Sequence, residues 1–399
     1  MRIIKLLCFL ITPLLSFGQH YSLNDFYSNN NELNKNVDSI YNSISSRQRI
    51  GQMIVTSYGI NGRPSEVIDK LVEVGDIGGV IYMKGTHDTH LSNTLKLNHL
   101  NSGLPLMYSM DAEPSLLGGR ISSLPKVLKT KDIKTIHDND SITKLICNEL
   151  NAIGVNLNYA PDCDLSTSNA AIGSRSYGSK QGVVVKMANS FINTSANHNI
   201  LTCAKHFPGH GLVVGDSHFG RVKISGEMKE LEVYKELIKN PKLYSIMIGH
   251  INVEKNEKYN TMGLPSSCSP VIIKELLKKE LGFKGLVISD GLGMHALKSV
   301  GIPGFEASKA GCDILCMPSD EVEVIEAILN EIKSNKKYAQ QIEQSVKKII
   351  RMKFCLGLFE KPNQNEKVIL YQHGKIIEEQ GVNAYHPKYG EYEFKRISE

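Results

Sequence analysis

The stretch LTCAKHFPGHGLVVGDSH occupies residues 201–218. It starts as an apolar run, LTCAKHF, and turns polar at Lys205 and His206. Pro208, Gly209, Gly211 and Gly215 then interrupt any regular element, while His206, His210, Asp216 and His218 crowd together. A strand covered on both faces is apolar along its length. A charge at its end cannot stay buried without a partner. The pattern therefore reads as a core strand that delivers polar side chains to its C-terminal end.

Seven further runs have the same character: MIVTSY (53–58), GGVIYM (78–83), PLMYSMD (105–111), NLNYAP (156–161), SIMIGHI (245–251), GLVISDG (285–291) and CDILCMP (312–318). Stretches of helical period separate them, among them SEVIDKLVEV, SITKLICNELNAIG and DEVEVIEAILNEIKS. Before the seventh strand, SPVIIKELLKKELG suggests Ser269 as a helix cap and Pro270 as the first helical residue. Eight strands alternating with helices predict a single α/β domain, a (β/α)8 TIM-type barrel over residues 38–361. The alternative is a doubly wound open sheet. It would carry a Gly-rich phosphate loop after its first strand, and VTSYGINGRP contains no G-x-G-x-x-G.

Outside the barrel, MRIIKLLCFLITPLLSFGQ reads as an export signal over residues 1–18, with Arg2 and Lys5 before a short apolar run. Cleavage would leave Gln19 first and the protein periplasmic or secreted. Residues 19–37 are expected to form a flexible lead-in and residues 362–399 a polar C-terminal tail. The formal charge of +5 falls to +3 without Arg2 and Lys5, too mild for a nucleic-acid partner. No later run is long and apolar enough to span a membrane. A monomer is expected. Seven widely spaced cysteines remain after cleavage, an odd number that is no disulfide framework, and Cys203, Cys312 and Cys316 read as buried thiols.

Active sites in such barrels form at the C-terminal ends of the strands. Asp111, Lys205, His206, His250 and Asp290 all fall there. The spacing of His206 and His210 suits two metal ligands on a helix, but Pro208 and Gly209 exclude a helix between them, so no metal is expected. Asp216 and His218 suit an acid–base pair, because a carboxylate beside an imidazole fixes its tautomer and stabilises its protonated form. Asp290, on a rigid strand, is then the candidate nucleophile. Lys205, His206 and Arg175 would keep Asp290 ionised or hold substrate hydroxyls.

Three motifs, AKHFPGHG followed by DSH, IGSRSYG (172–178) and VISDGLGMHAL (287–297), resemble glycoside hydrolase family 3, in particular its single-domain β-N-acetylhexosaminidases. The resemblance covers roughly residues 40–360. It implies a (β/α)8 barrel with Asp290 as nucleophile and His218 as proton donor and acceptor, oriented by Asp216. It also implies sugar-binding roles for Asp111, Arg120, Arg175, Lys205 and His206. Two departures stand out: DAEPSLLGGR replaces the frequent D-Q-E-G-G-R, and Gly291 follows the nucleophile where many members carry an acid.

The expected activity is that of an exported, retaining exo-β-N-acetylglucosaminidase. It would need no cofactor and act on a carbohydrate substrate. Most retaining glycosidases use two carboxylates. A histidine acid removes one negative charge from the cleft, which favours anionic substrates such as peptidoglycan fragments. The alternatives are a β-glucosidase or β-xylosidase of the same family, a non-catalytic glycan-binding barrel, and a metal-dependent hydrolase.

Overall fold

The computed structural model describes residues 20–166, 169, 171–213, 216 and 220–360, together with the backbone of strands at 367–372, 375–381 and 393–397. The export signal lies outside these residues, as does His218.

All eight expected strands form one parallel sheet: β1 (Ile54–Tyr58), β2 (Gly79–Tyr82), β3 (Met107–Met110), β4 (Leu157–Asn158), β5 (Leu201–Phe207), β7 (Ser245–Ile248), β9 (Leu286–Ser289) and β10 (Leu315–Cys316). Registers such as Val55↔Gly79, Gly79↔Met107, Leu157↔Leu201 and Ser245↔Leu286 run continuously through it. β10 pairs with β1, and a parallel bridge between Ile288 and Ile314 joins the two ends. The result is a (β/α)8 barrel. Helices such as Ser65–Glu73, Ile136–Ala152, Gln181–Asn197 and Glu321–Ser334 surround it. Strand residues are buried on both faces, which explains their unbroken apolar runs.

Four details depart from expectation. Residues 20–37 are no loose lead-in. Asn30 caps the helix Asn31–Ser43 by accepting from the N–H groups of Glu32 and Leu33, both at 3.0 Å. Leu33 and Val37, one helical turn apart, then join the main core with Tyr21, Leu23 and Phe26. An Asn-rich composition hid a good cap and a short apolar stripe. Next, β6 (Val222–Ser225) and β8 (Ile251–Glu254) pair in parallel as a small second sheet. Thirdly, the helix before β9, Val271–Glu280, is a π-helix. The Ser269 carbonyl accepts the Ile272 and Ile273 N–H groups at its start, and Pro270 stands at its N-cap. Finally, the C-terminal residues include β11 (Lys367–Gln372), β12 (Lys375–Gly381) and β13 (Glu393–Ile397), an antiparallel sheet with β11 in the middle. No helix among the described residues is long and apolar enough to cross a membrane. Cys147, Cys163, Cys203, Cys268, Cys312, Cys316 and Cys355 are all buried free thiols.

The closed end of the barrel is tied by Lys353, on the long helix Lys336–Cys355. Its ammonium is fully buried and donates to Gln52 Oε1 (2.5 Å), Gly78 O (2.9 Å) and Pro105 O (2.6 Å). Gly78 and Pro105 precede β2 and β3, so one side chain fastens the last helix to two strand entrances. Burial pushes the ammonium down to about 7. Lys353→Met would leave buried oxygens without donors. Each such orphan costs about 1–3 kcal/mol. We therefore expect a loss of roughly 2–4 kcal/mol in unfolding free energy, read by urea titration. An unchanged midpoint would refute this role.

Candidate active site

Four strand ends build the polar floor. β3 ends at Met110, and the next residues include Asp111 and Glu113. β4 is followed by Asp162 and Asp164, and β5 carries Lys205 and His206 within its last three residues. β9 ends at Ser289, so Asp290 is the first residue past it. The barrel twist brings these ends together at one mouth.

Asp111, Arg120, Arg175 and Lys205 form one network. The Lys205 ammonium is shared between Asp111 and Glu113 (2.7 Å to Glu113). Arg120 reaches Asp111 Oδ2 at 3.0 Å. Arg175 grips Glu113 with two bonds, of 2.7 and 2.9 Å, and faces Asp162 at 3.3 Å. Burial would push Asp111 up, but Lys205, Arg120 and Arg175 hold it well below the usual carboxylate range. Burial would likewise lower Lys205, and the charges of Asp111 and Glu113 reverse that. Lys205, Arg120 and Arg175 compensate the charges of Asp111 and Glu113, as burial requires. The arrangement presents rigid, oriented acceptors and donors, which is what recognition of sugar hydroxyls needs.

His206 is held separately. Its Nδ1–H donates to Asp164 Oδ2 at 2.7 Å. Asp164 also accepts the backbone N–H groups of His206 and His210. That fixes the ring and leaves Nε2 as its remaining polar atom. Burial works against the Asp164 charge, but His206 and His210 outweigh it and lower its pKa. Burial and the adjacent Asp164 charge together push Asp162 up.

Asp290 is 8% exposed, and its Oδ1 accepts the Gly291 N–H at 2.8 Å. Burial pushes its pKa up; the imidazoles of His250 and His206, the Gly291 N–H and Lys205 together bring it below the ordinary value. The turn behind it is secured by His250. That ring donates from Nε2 to the Gly291 carbonyl at 2.9 Å and takes the Ser267 hydroxyl on Nδ1 at 2.7 Å. A buried carboxylate held ionised at a strand end suits nucleophilic attack.

Asp111, Arg120, Arg175 and Lys205 come together in one network, and Asp164 holds His206 beside it. Arg175 pairs with Glu113 and Asp162 and donates to the Ala171 carbonyl, so its charge acts within this polar floor and not on Asp290. Asp216 is half-buried on the loop after β5, and its carbonyl accepts the Gly220 N–H. Three carboxylates were missed by the sequence reading: Glu113, Asp162 and Asp164. A signal existed for each. Glu113 is two residues past Asp111, and D-x-D directly follows NLNYAP.

Asp162, Asp164 and His206 lie close enough together for a cation. Asp164 Oδ2 holds His206 and Asp162 Oδ1 takes the Asp164 N–H, while the buried Asp162 Oδ2 has no hydrogen-bond partner among the described residues and faces the Arg175 guanidinium at 3.3 Å. A divalent ion there would sit beside a fixed positive charge.

Residues 45–352 match the family described as "Glycosyl hydrolase family 3 N terminal domain". The chain is 29% identical over 272 residues to a beta-hexosaminidase of Glaesserella parasuis, covering 63% of this chain and 76% of that one. In fold it is similar to a solved glycoside hydrolase family 3 beta-N-acetylglucosaminidase from Paenibacillus, with a TM-score of 0.73 and 24% identity, over 80% of this chain and 64% of that one. A beta-N-acetylhexosaminidase from Beutenbergia cavernae matches with a TM-score of 0.68 and 20% identity, over 77% of this chain and 97% of that one.

Proposed function

Because the chain belongs to glycosyl hydrolase family 3, we propose that this glycoside hydrolase is an exported, retaining exo-β-N-acetylglucosaminidase. It removes terminal β-linked N-acetylhexosamine from glycans or peptidoglycan fragments. The observation that carries the reading is Asp290, a buried carboxylate kept ionised at a strand end beside the hydroxyl-binding floor. The relatives named beta-hexosaminidase support the amino sugar over glucose or xylose.

In the first step an Asp290 oxygen attacks the anomeric carbon. The bond from that carbon to the leaving oxygen breaks, and the leaving oxygen takes the proton of His218. In the second step His218 removes a proton from water, which attacks the anomeric carbon and frees Asp290. The net configuration is retained because each step inverts. Asp216 holds the imidazole in its working orientation. Asp111, Arg120, Arg175, Lys205 and His206 hold the sugar ring.

A panel of aryl β-glycosides tests the substrate class. N-acetylglucosaminide should be cleaved at least ~10²-fold faster than glucoside or xyloside, the discrimination open to a site that pairs its buried polar groups with a substrate amide. Faster cleavage of glucoside or xyloside would favour that rival. The same panel run with EDTA should give unchanged rates, since proton transfer by His218 and Asp216 needs no metal. Loss of activity that zinc or another divalent ion restores would point instead to a metal-dependent hydrolase. For export, the N-terminal sequence of mature protein should begin near Gln19, and an intact Met1 on the cytoplasmic protein would overturn that part.

A further inference from the structure

Glu230 is a buried carboxylate that takes no part in the steps above. It lies just before the helix Leu231–Leu237, on the far side of the loop that follows β5. Its Oε1 accepts the N–H groups of Leu165 at 2.6 Å and Gly211 at 3.1 Å, and its Oε2 accepts that of Leu212 at 3.0 Å. Three backbone donors thus converge on one side chain, joining the loop after β4 to the loop after β5.

The same segment is gripped from a second side. The Asn169 amide donates to the carbonyls of His210 (3.1 Å) and Val213 (2.7 Å). Asp164 takes the His210 N–H at 2.8 Å. Residues 210–213, which precede Asp216 and His218 in the sequence, are therefore tied by five backbone atoms. Two glycines of the KHFPGHG motif permit this. A Cβ on Gly209, whose φ is +131°, would lie 2.4 Å from Glu230 Cβ. A Cβ on Gly211 would lie 2.5 Å from the Leu165 carbonyl oxygen. Neither gap admits a side chain. The motif glycines thus let two loops close onto Glu230 as well as make turns.

We infer that Glu230 is a positioning residue for proton transfer, fixing residues 210–213, the start of the sequence segment that carries Asp216 and His218, against Asp164 and His206. This rests on His218 being the acid of the proposed reaction. Glu230 acts through backbone bonds to residues 211 and 212, and a displacement of about 1 Å at a reacting group is enough to cost roughly 10²-fold.

The test compares wild type, E230Q, L212P and H218A as full-length proteins. Each acts on an aryl β-N-acetylglucosaminide with a good leaving group (2,4-dinitrophenol) and on one with a poor leaving group (phenol). In E230Q the amide keeps the shape of the carboxylate, but its NH2 must face at least one backbone N–H. L212P removes one of the three donors at an exposed position. H218A should lose ~10²–10⁴-fold more on the poor leaving group than on the good one. E230Q should show the same inequality at roughly 10-fold or more, and azide should restore turnover of the good substrate where deglycosylation has become slow. L212P should show a smaller version. Equal losses on both substrates, or no loss, in folded E230Q would reduce Glu230 to a structural residue and overturn the inference. If E230Q does not fold, L212P decides on the same criterion. If H218A itself shows no leaving-group dependence, the acid assignment fails and the inference falls with it. A normal H218A signature with an indifferent E230Q refutes the inference alone.

Discussion

Asp290→Ala is expected to lower turnover by about 10⁴-fold or more while leaving the barrel folded, the order of loss found when one member of a nucleophile–base unit is removed. In the proposed mechanism the carboxylate forms the covalent bond, so its removal deletes the pathway and not merely a contact. The fold should survive because the lost partner is a single N–H of Gly291, and the turn stays fastened by His250 on the Gly291 carbonyl. Relief of a buried charge offsets part of the lost bond. The wild-type pH profile bears on the same residue. Its carboxyl is held below the ordinary range, so it stays ionised to lower pH than an exposed aspartate. An acid limb of kcat/KM set by Asp290 must therefore lie on the acidic side of the usual carboxylate value. Circular dichroism establishes folding, and mass spectrometry of wild type trapped with a slow substrate should place the sugar on the peptide that contains Asp290. Near-normal activity in folded Asp290→Ala, or a label on another peptide, would eliminate the assigned nucleophile.

His218→Ala should separate substrates by leaving group. An oxygen that departs easily as an anion needs little protonation, whereas a poor leaving group depends on it. General acid catalysis contributes ~10²–10⁴-fold, and the gap between the two substrate types should be of that order. Asp216→Asn should show the same pattern more weakly, because it leaves the imidazole in place and removes only the neighbouring charge. If His218→Ala slows good and poor leaving groups equally, the acid is another group at the barrel mouth. Glu113 and Asp162 are then the first carboxylates to examine, since each lies past a strand end beside Arg175.

These two expectations rest on residues that stand out in the chain for a physical reason. Asp290 and the Lys205–His206 pair terminate runs of apolar, strand-forming residues, and a charge in such a place is visible without any coordinates. The eight strands were legible for the same reason: burial on both faces writes itself locally, as uninterrupted hydrophobic runs separated by helical period. The helix Asn31–Ser43 was not legible, because its polar face dominates the composition while only Leu33 and Val37 mark the buried side. β6 and β8 escaped for a related cause. β6 buries only Val222 fully, and it becomes a strand because Ile251–Glu254 lies alongside to share its hydrogen bonds.

What the residues alone determined was therefore each strand of the barrel, its polar end and the chemical type delivered there. What the tertiary structure decided was partnership. Lys205 meets Asp111 across 94 residues of chain, and Glu230 meets Leu165 across 65. A carboxylate in sequence looks the same whether it will be a nucleophile, a counter-ion or a loop fastening. Only closure of the barrel sets which cations and N–H groups surround it. Those neighbours settle its charge: cations and imidazoles hold Asp111 and Asp290 ionised, while Asp162, buried beside Asp164, is driven toward its neutral form.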